Sequence, residues 1–151
     1  MIRRQRMPEQ WFIADARDGE LWRTVRKIPR GCGVLALGKM SASERRRLRH
    51  LAAIRGLTVV TEQPGAATRV HNLRELRQAL LSRTPLILLS PIYRTASHPD
   101  WSPLPRMRAA ALARLGGRSV HALGGMNAKR YAKIAKLGFV GWAGISAWSG
   151  P

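Results

Sequence analysis

Acidic residues are scarce in this sequence: 8 Asp and Glu stand against 27 Lys and Arg, giving a formal net charge of +19 and an isoelectric point near 11.9. Such an imbalance favours anionic partners, whether phosphate esters, nucleic acid or acidic lipid surfaces, and says nothing about fold. Cysteine is almost missing too. Cys32 stands alone, which excludes an internal disulfide and a cysteine-built zinc site and makes a reduced, cytoplasmic setting the expectation. The 4 histidines lack zinc-ligand spacing. No apolar run approaches the roughly 18 residues of a membrane span. The opening MIRRQRMPEQ has a basic head without the apolar core of a signal peptide. No internal repeat or low-complexity tract is present.

What the chain does have is an ordinary hydrophobic content, 45% over 151 residues, enough for one domain with a real core. Residues 1–151 read as that single domain, with residues 1–8 a basic tail. WFIAD (11–15), GVLALG (33–38), LTVVTE (57–62), LILLS (86–90), SVHAL (119–123) and FVGWAGI (139–145) are apolar runs of strand length. Between them lie helical patterns at 19–28, 41–56, 72–83, 103–117 and 127–138. The 41–56 helix is the clearest. Ser41 and Glu44 form a capping box and Gly56 stops it. Asn72 and Asn127 are N-caps, and Glu75 stands at the capping-box position of its helix.

Strand and helix alternate, which argues for an α/β fold with a parallel sheet covered by helices, open or closed into a barrel. An eight-fold barrel usually takes about 200–250 residues, more than this chain has. TRVH (68–71) is a seventh, doubtful strand. Only PGAA separates it from LTVVTE, and a parallel crossover needs about ten residues or more. TRVH therefore either does not pair in parallel beside LTVVTE or is loop. In such folds ligands bind at the carboxyl ends of the strands. That places SPIYRTASHP (90–99), with its many hydrogen-bonding side chains, on the ligand face.

The order of motifs resembles thiamine phosphate synthase and its relative TenI, a thiazole tautomerase. WFIADAR is similar to that superfamily's L-Y-x-I-T-D-R strand, GVLALGK to Q-L-R-E-K, and LTVVTEQ to I-I-N-D-R. VHNLRELRQA is similar to V-S-x-H-S-L-E-E-A, SPIYRTASHP to G-P-V-F-P-T-x-T-K-P, HALGGM to A-I-G-G-I, and GWAGISAW to G-V-A-V-V-S-A-I. The resemblance implies a (β/α) barrel of the TIM type, truncated here to six or seven strands instead of eight. It implies a small phosphorylated substrate, thiazole phosphate, with or without coupling to hydroxymethylpyrimidine pyrophosphate, and Mg2+ for the coupling reaction.

Carried over residue by residue, the resemblance puts the substrate phosphate on Gly124, Gly125, Ile145 and Ser146. Glycine lets the backbone approach an anion, and a helix start adds N–H groups. Thr95 and Ser97 match two substrate-binding threonines. His98 stands where the family has lysine, and Arg94 offers a permanent cation beside it. His71 matches a histidine that moves a proton on the thiazole ring, work suited to a residue type that titrates near neutrality. Lys39 retains the last cation of the Q-L-R-E-K segment. The departures are equally specific. Leu35 and Leu37 replace the glutamine and arginine that grip pyrophosphate. Glu62 replaces a metal-binding aspartate, leaving Glu62 and Asp15 as the candidate Mg2+ ligands. About one strand and two helices are missing between Gln63 and Arg69. The exposed edges then call for re-pairing across the gap or for a homodimer.

Three functions compete: an enzyme of the synthase or TenI type, a non-catalytic phosphate-ligand binder on the same fold, and a nucleic-acid-binding protein. The third rests on Arg45, Arg46, Arg47, Arg49 and Arg55 around one helix, with Arg3, Arg4 and Arg6 in the tail. It ranks last because no aromatic-rich binding strand or RNA-binding motif accompanies it.

Overall fold

Along the first strand, Trp11 and Ile13 point into a barrel lumen while Phe12 and Ala14 point out towards the helices; all four are buried. The period of two, repeated strand after strand, makes two cores from one sheet. The computed structural model describes residues 6–148. Its strands are β1 (Gln10–Ala14), β2 (Gly33–Ala36), β3 (Thr58–Thr61), β4 (Ala67–Val70), β5 (Leu86–Leu89), β6 (Val120–Ala122) and β7 (Gly141–Gly144). The helices are α1 (Leu21–Lys27), α2 (Ala42–Arg55), α3 (Leu73–Leu81), α4 (Arg106–Gly116) and α5 (Ala128–Ile134). All seven strands run parallel in the order β3-β2-β1-β7-β6-β5-β4. The sheet curls until residues of β1, β2, β4, β5 and β7, among them Ile13, Leu35, Ala67, Leu88 and Ala143, share one inner cluster. The result is a nearly closed, truncated TIM-type barrel. No described helix is long and apolar enough to cross a membrane.

TRVH is a strand, and its pairing resolves the difficulty posed by the short PGAA link. β4 pairs with β5, not with β3. A tight turn with one antiparallel bridge, Gln63 to Ala67, joins β3 to β4. One ion pair, Arg69 Nε to Glu62 Oε1 at 2.7 Å, spans the same junction. The expected re-pairing thus amounts to a bridge and an ion pair, without a parallel ladder. A groove of about 390 Å3 between the β3–β4 turn, β4 and α3 runs along this junction.

Local chemistry sets the helix ends. Both bonds of the Ser41–Glu44 capping box form, and Gly56 closes α2 in the left-handed region at φ +67°. Asn72 and Asn127 accept the Glu75 and Arg130 N–H groups. α4 starts at Arg106, three residues later than the pattern suggests, because Pro103 and Pro105 hold the residues before them extended.

The floor of the barrel is built from two large rings and two missing side chains. Trp11 lies beside Gly33, and His121 beside Gly141, in register. A Cβ on Gly33 would run into the Trp11 ring, and one on Gly141 into Glu9 O and the His121 ring. Trp11 Nε1 donates to Pro8 O at 2.8 Å, and His121 Nε2 meets the same oxygen at 3.0 Å. His121 is fully buried, and burial pushes its imidazolium pKa below the ordinary histidine value. The unfolded chain therefore binds a proton near pH 6.5 that the folded chain refuses. Stability present above that pH falls as pH drops through the window below it. Melting temperature should decline between pH 7 and pH 5. In His121→Gln that decline should be shallower; an equal slope in the variant would remove His121 as its cause.

Candidate functional site

The carboxyl ends of the strands bring most of the expected residues to one mouth, in three groups. The first is the Gly124–Gly125 turn after β6. Both glycines lie at positive φ, +100° and +60°. Gly124 packs on Pro91 and Ile92, and Gly125 on Tyr93 and the Arg94 carbonyl. The Ile92 N–H donates to Leu123 O at 2.9 Å and the Tyr93 N–H to Gly124 O at 3.0 Å. The β5 and β6 chains thus stay zipped beyond their strands, which carries Arg94 to the glycine pair. Arg130 donates to Gly125 O at 2.5 Å and lies 4.8 Å over the Tyr93 ring. Gly144, at the end of β7, packs against Met126 O. Ile145 and Ser146 follow it, with a 3-10 turn over Ser146–Trp148. Among the described residues the N–H groups of Gly124, Gly125, Ile145 and Ser146 have no protein partner. The turn therefore offers main-chain donors with the Arg130 guanidinium and the Arg94 backbone beside it, an arrangement that suits an oxyanion.

The second group is the loop after β5. Its ends are pinned where the Leu104 N–H donates to Pro91 O at 2.9 Å. Thr95 Oγ1 accepts the Ser97 N–H at 3.2 Å, so this hydroxyl shapes its own turn. His98 stacks on Trp101 with centroids 4.1 Å apart. This places His98 on the aromatic side of the mouth rather than at the glycine pair.

The third group is His71, at the end of β4. Glu75 Oε2 accepts the His71 N–H at 2.7 Å and lies 3.0 Å from Nδ1. The expected capping-box carboxylate has reached one residue further back, to His71 instead of the cap residue. Burial alone would raise the Glu75 pKa; the bonds from the His71 backbone and ring outweigh that and hold it below the ordinary glutamate value. An ionised acceptor at Nδ1 puts the ring proton there and leaves Nε2 as the free lone pair. Trp101 meets His71 edge-on at 5.6 Å. With Pro91 and Ser102 these residues line a cleft of about 420 Å3. Sequence reading missed Trp101, Arg130 and the pairing role of Glu75. The His71–Glu75 spacing of four was the only available signal.

The remaining candidates do not converge in the same way. Asp15 accepts the Arg17 guanidinium, at 2.6 Å to Nη2, and the Arg17 N–H at 3.0 Å. These bonds, with a smaller contribution from Lys39, lower its pKa to about 2. Lys39 has no hydrogen bond or ion pair to His71 among the described residues. Glu62 is held by Arg69. Each candidate Mg2+ ligand is thus neutralised by an arginine, and no described group of three or more His, Cys, Asp or Glu is arranged to hold a metal. Leu35 and Leu37 pack in the lumen core.

Residues 35–148, most of the chain, match the thiamine monophosphate synthase family. The chain belongs to that family. Its fold is similar to thiamine phosphate pyrophosphorylase from Pyrococcus furiosus, with a TM-score of 0.75 and 15% identity over 95% of this chain and 88% of that one. It is also similar to thiamine phosphate pyrophosphorylase from Bacteroides thetaiotaomicron, with a TM-score of 0.55 and 15% identity over 93% and 84%. No curated protein matches the sequence.

Proposed function

We propose that this family member binds a thiazole phosphate at the Gly124–Gly125 turn and moves a proton on the thiazole ring through His71. One observation carries the reading. A left-handed Gly-Gly turn with free N–H groups is zipped to the same loop whose far end, through Trp101, packs against the His71–Glu75 pair. Phosphate on the amides holds the ester. His71 Nε2 takes a proton from one position of the bound heterocycle and returns it at another, so atoms and charge balance within one substrate. Glu75 holds the imidazole in place through Nδ1. Arg94 and Arg130 add permanent positive charge next to the phosphate. Coupling to the pyrimidine pyrophosphate is the second member of the family repertoire. Leu35, Leu37 and the arginine-bound carboxylates argue against it.

The test is direct. Purified protein is mixed with a thiazole phosphate in deuterated water, with and without hydroxymethylpyrimidine pyrophosphate and Mg2+. The melting temperature should rise with ligand, and deuterium should enter the thiazole without formation of thiamine phosphate. Thiamine phosphate formation would restore the synthase reading. A raised melting temperature without deuterium uptake would leave a binder only.

A further inference from the structure

α1 and α2 bury their apolar stripes, Leu21, Val25 and Ile28 on one side and Leu48 and Ala52 on the other, against one shared core. Their outward faces adjoin and are rich in cations, with Ile54 the one large apolar side chain of α2 left exposed. Arg26 and Lys27 leave the end of α1, and the Arg30 side chain lies against Gly56 at the end of α2. Arg46 and Arg49 face outward from α2. Arg47 lies 4.2 Å over the Trp22 ring, which ties the two helices and fixes one guanidinium in place. The acids of these helices and their caps are already used: Glu20 pairs with Arg23, and Glu44 closes the capping box. No carboxylate partners these six cations among the described residues.

Six like charges across two adjacent helices and the segment after α1 repel one another, and a polyanion that displaces their counterions relieves this. Five of the six are arginine, the side chain that grips phosphate oxygens in pairs. An acidic bilayer suits the face less well. Insertion at a membrane surface needs an exposed apolar stripe, and α2 exposes a single large apolar residue, Ile54, while Leu48 and Ala52 are spent on the core. The sequence alone could not show that the basic residues of α1 adjoin those of α2. We propose that the outer faces of α1 and α2 are a docking surface for the phosphate backbone of nucleic acid, read without base specificity.

The experiment is a salt titration of binding to fluorescent duplex DNA and single-stranded RNA. It uses the wild-type chain, a fourfold variant (Arg26→Gln, Lys27→Gln, Arg46→Gln, Arg49→Gln) and an equally neutralised control on the opposite helices (Arg108→Gln, Arg118→Gln, Lys133→Gln, Lys136→Gln). The α1–α2 variant should bind at least ~10-fold more weakly near ~0.1 M salt, with the slope of log K against log salt shallower by about 2–4. The control should stay within about twofold of wild type. Should the fourfold variant fail to fold, Arg46→Gln and Arg49→Gln, both at exposed positions, are measured singly. Equal losses in variant and control would reduce the effect to net charge and overturn the surface. So would the absence of salt-dependent binding, or tighter binding to vesicles containing phosphatidylserine than to either nucleic acid.

Discussion

Gly125→Ala should weaken thiazole phosphate binding by at least ~10-fold and lower the melting temperature by several degrees. Gly125 sits at φ +60°, where a side chain is strained, and a Cβ there would meet the Arg94 carbonyl and the Tyr93 side chain. Backbone strain of this kind costs about 1–3 kcal/mol, and about 2–4 °C accompanies each kcal/mol at this chain size. The larger effect falls on the ligand. Pushing the 93–94 backbone away unzips the contact that brings Arg94 to the turn and re-aims the free N–H groups. Calorimetric titration with thiazole phosphate reads the first effect and a thermal melt the second. Unchanged affinity in a folded variant would place the phosphate elsewhere.

His71→Ala should abolish deuterium exchange into thiazole phosphate, a loss of about 10²–10⁴-fold, the usual worth of a positioned acid–base group. Phosphate affinity should change little, because the ring is separate from the Gly124–Gly125 amides. Glu75→Gln keeps a hydrogen-bond acceptor for Nδ1 but removes the carboxylate that holds the ring and the His71 N–H together. Its exchange rate should fall between those of wild type and His71→Ala. Turnover that survives His71→Ala would remove His71 from the chemistry while leaving the binding site standing.

The barrel was legible because its signals are local. The capping box of α2, the asparagine caps and the apolar runs all depend on residues a few positions apart. TRVH was ambiguous because its partner, β5, lies beyond a helix, and no local pattern states which edge a strand joins. The site was partly legible for the same reason. Gly124–Gly125 and His71 sit in short motifs. The stacking of His98 on Trp101 depends on how a loop folds back on itself. Glu75 was visible as a capping residue, and only the structure shows its carboxylate at His71 instead. The arginines that neutralise Asp15 and Glu62 show the same limit. Arg17 is a near neighbour of Asp15, but Arg69 reaches Glu62 only because the β3–β4 turn folds them together.

Amide chemical shifts under a thiazole phosphate titration test the central claim most directly. The account predicts that the N–H resonances of Gly124, Gly125, Ile145 and Ser146 move first and furthest, saturating together, while those of α1 and α2 stay in place. Shifts confined to the arginine-rich helices, or spread evenly over the basic surface, would contradict it.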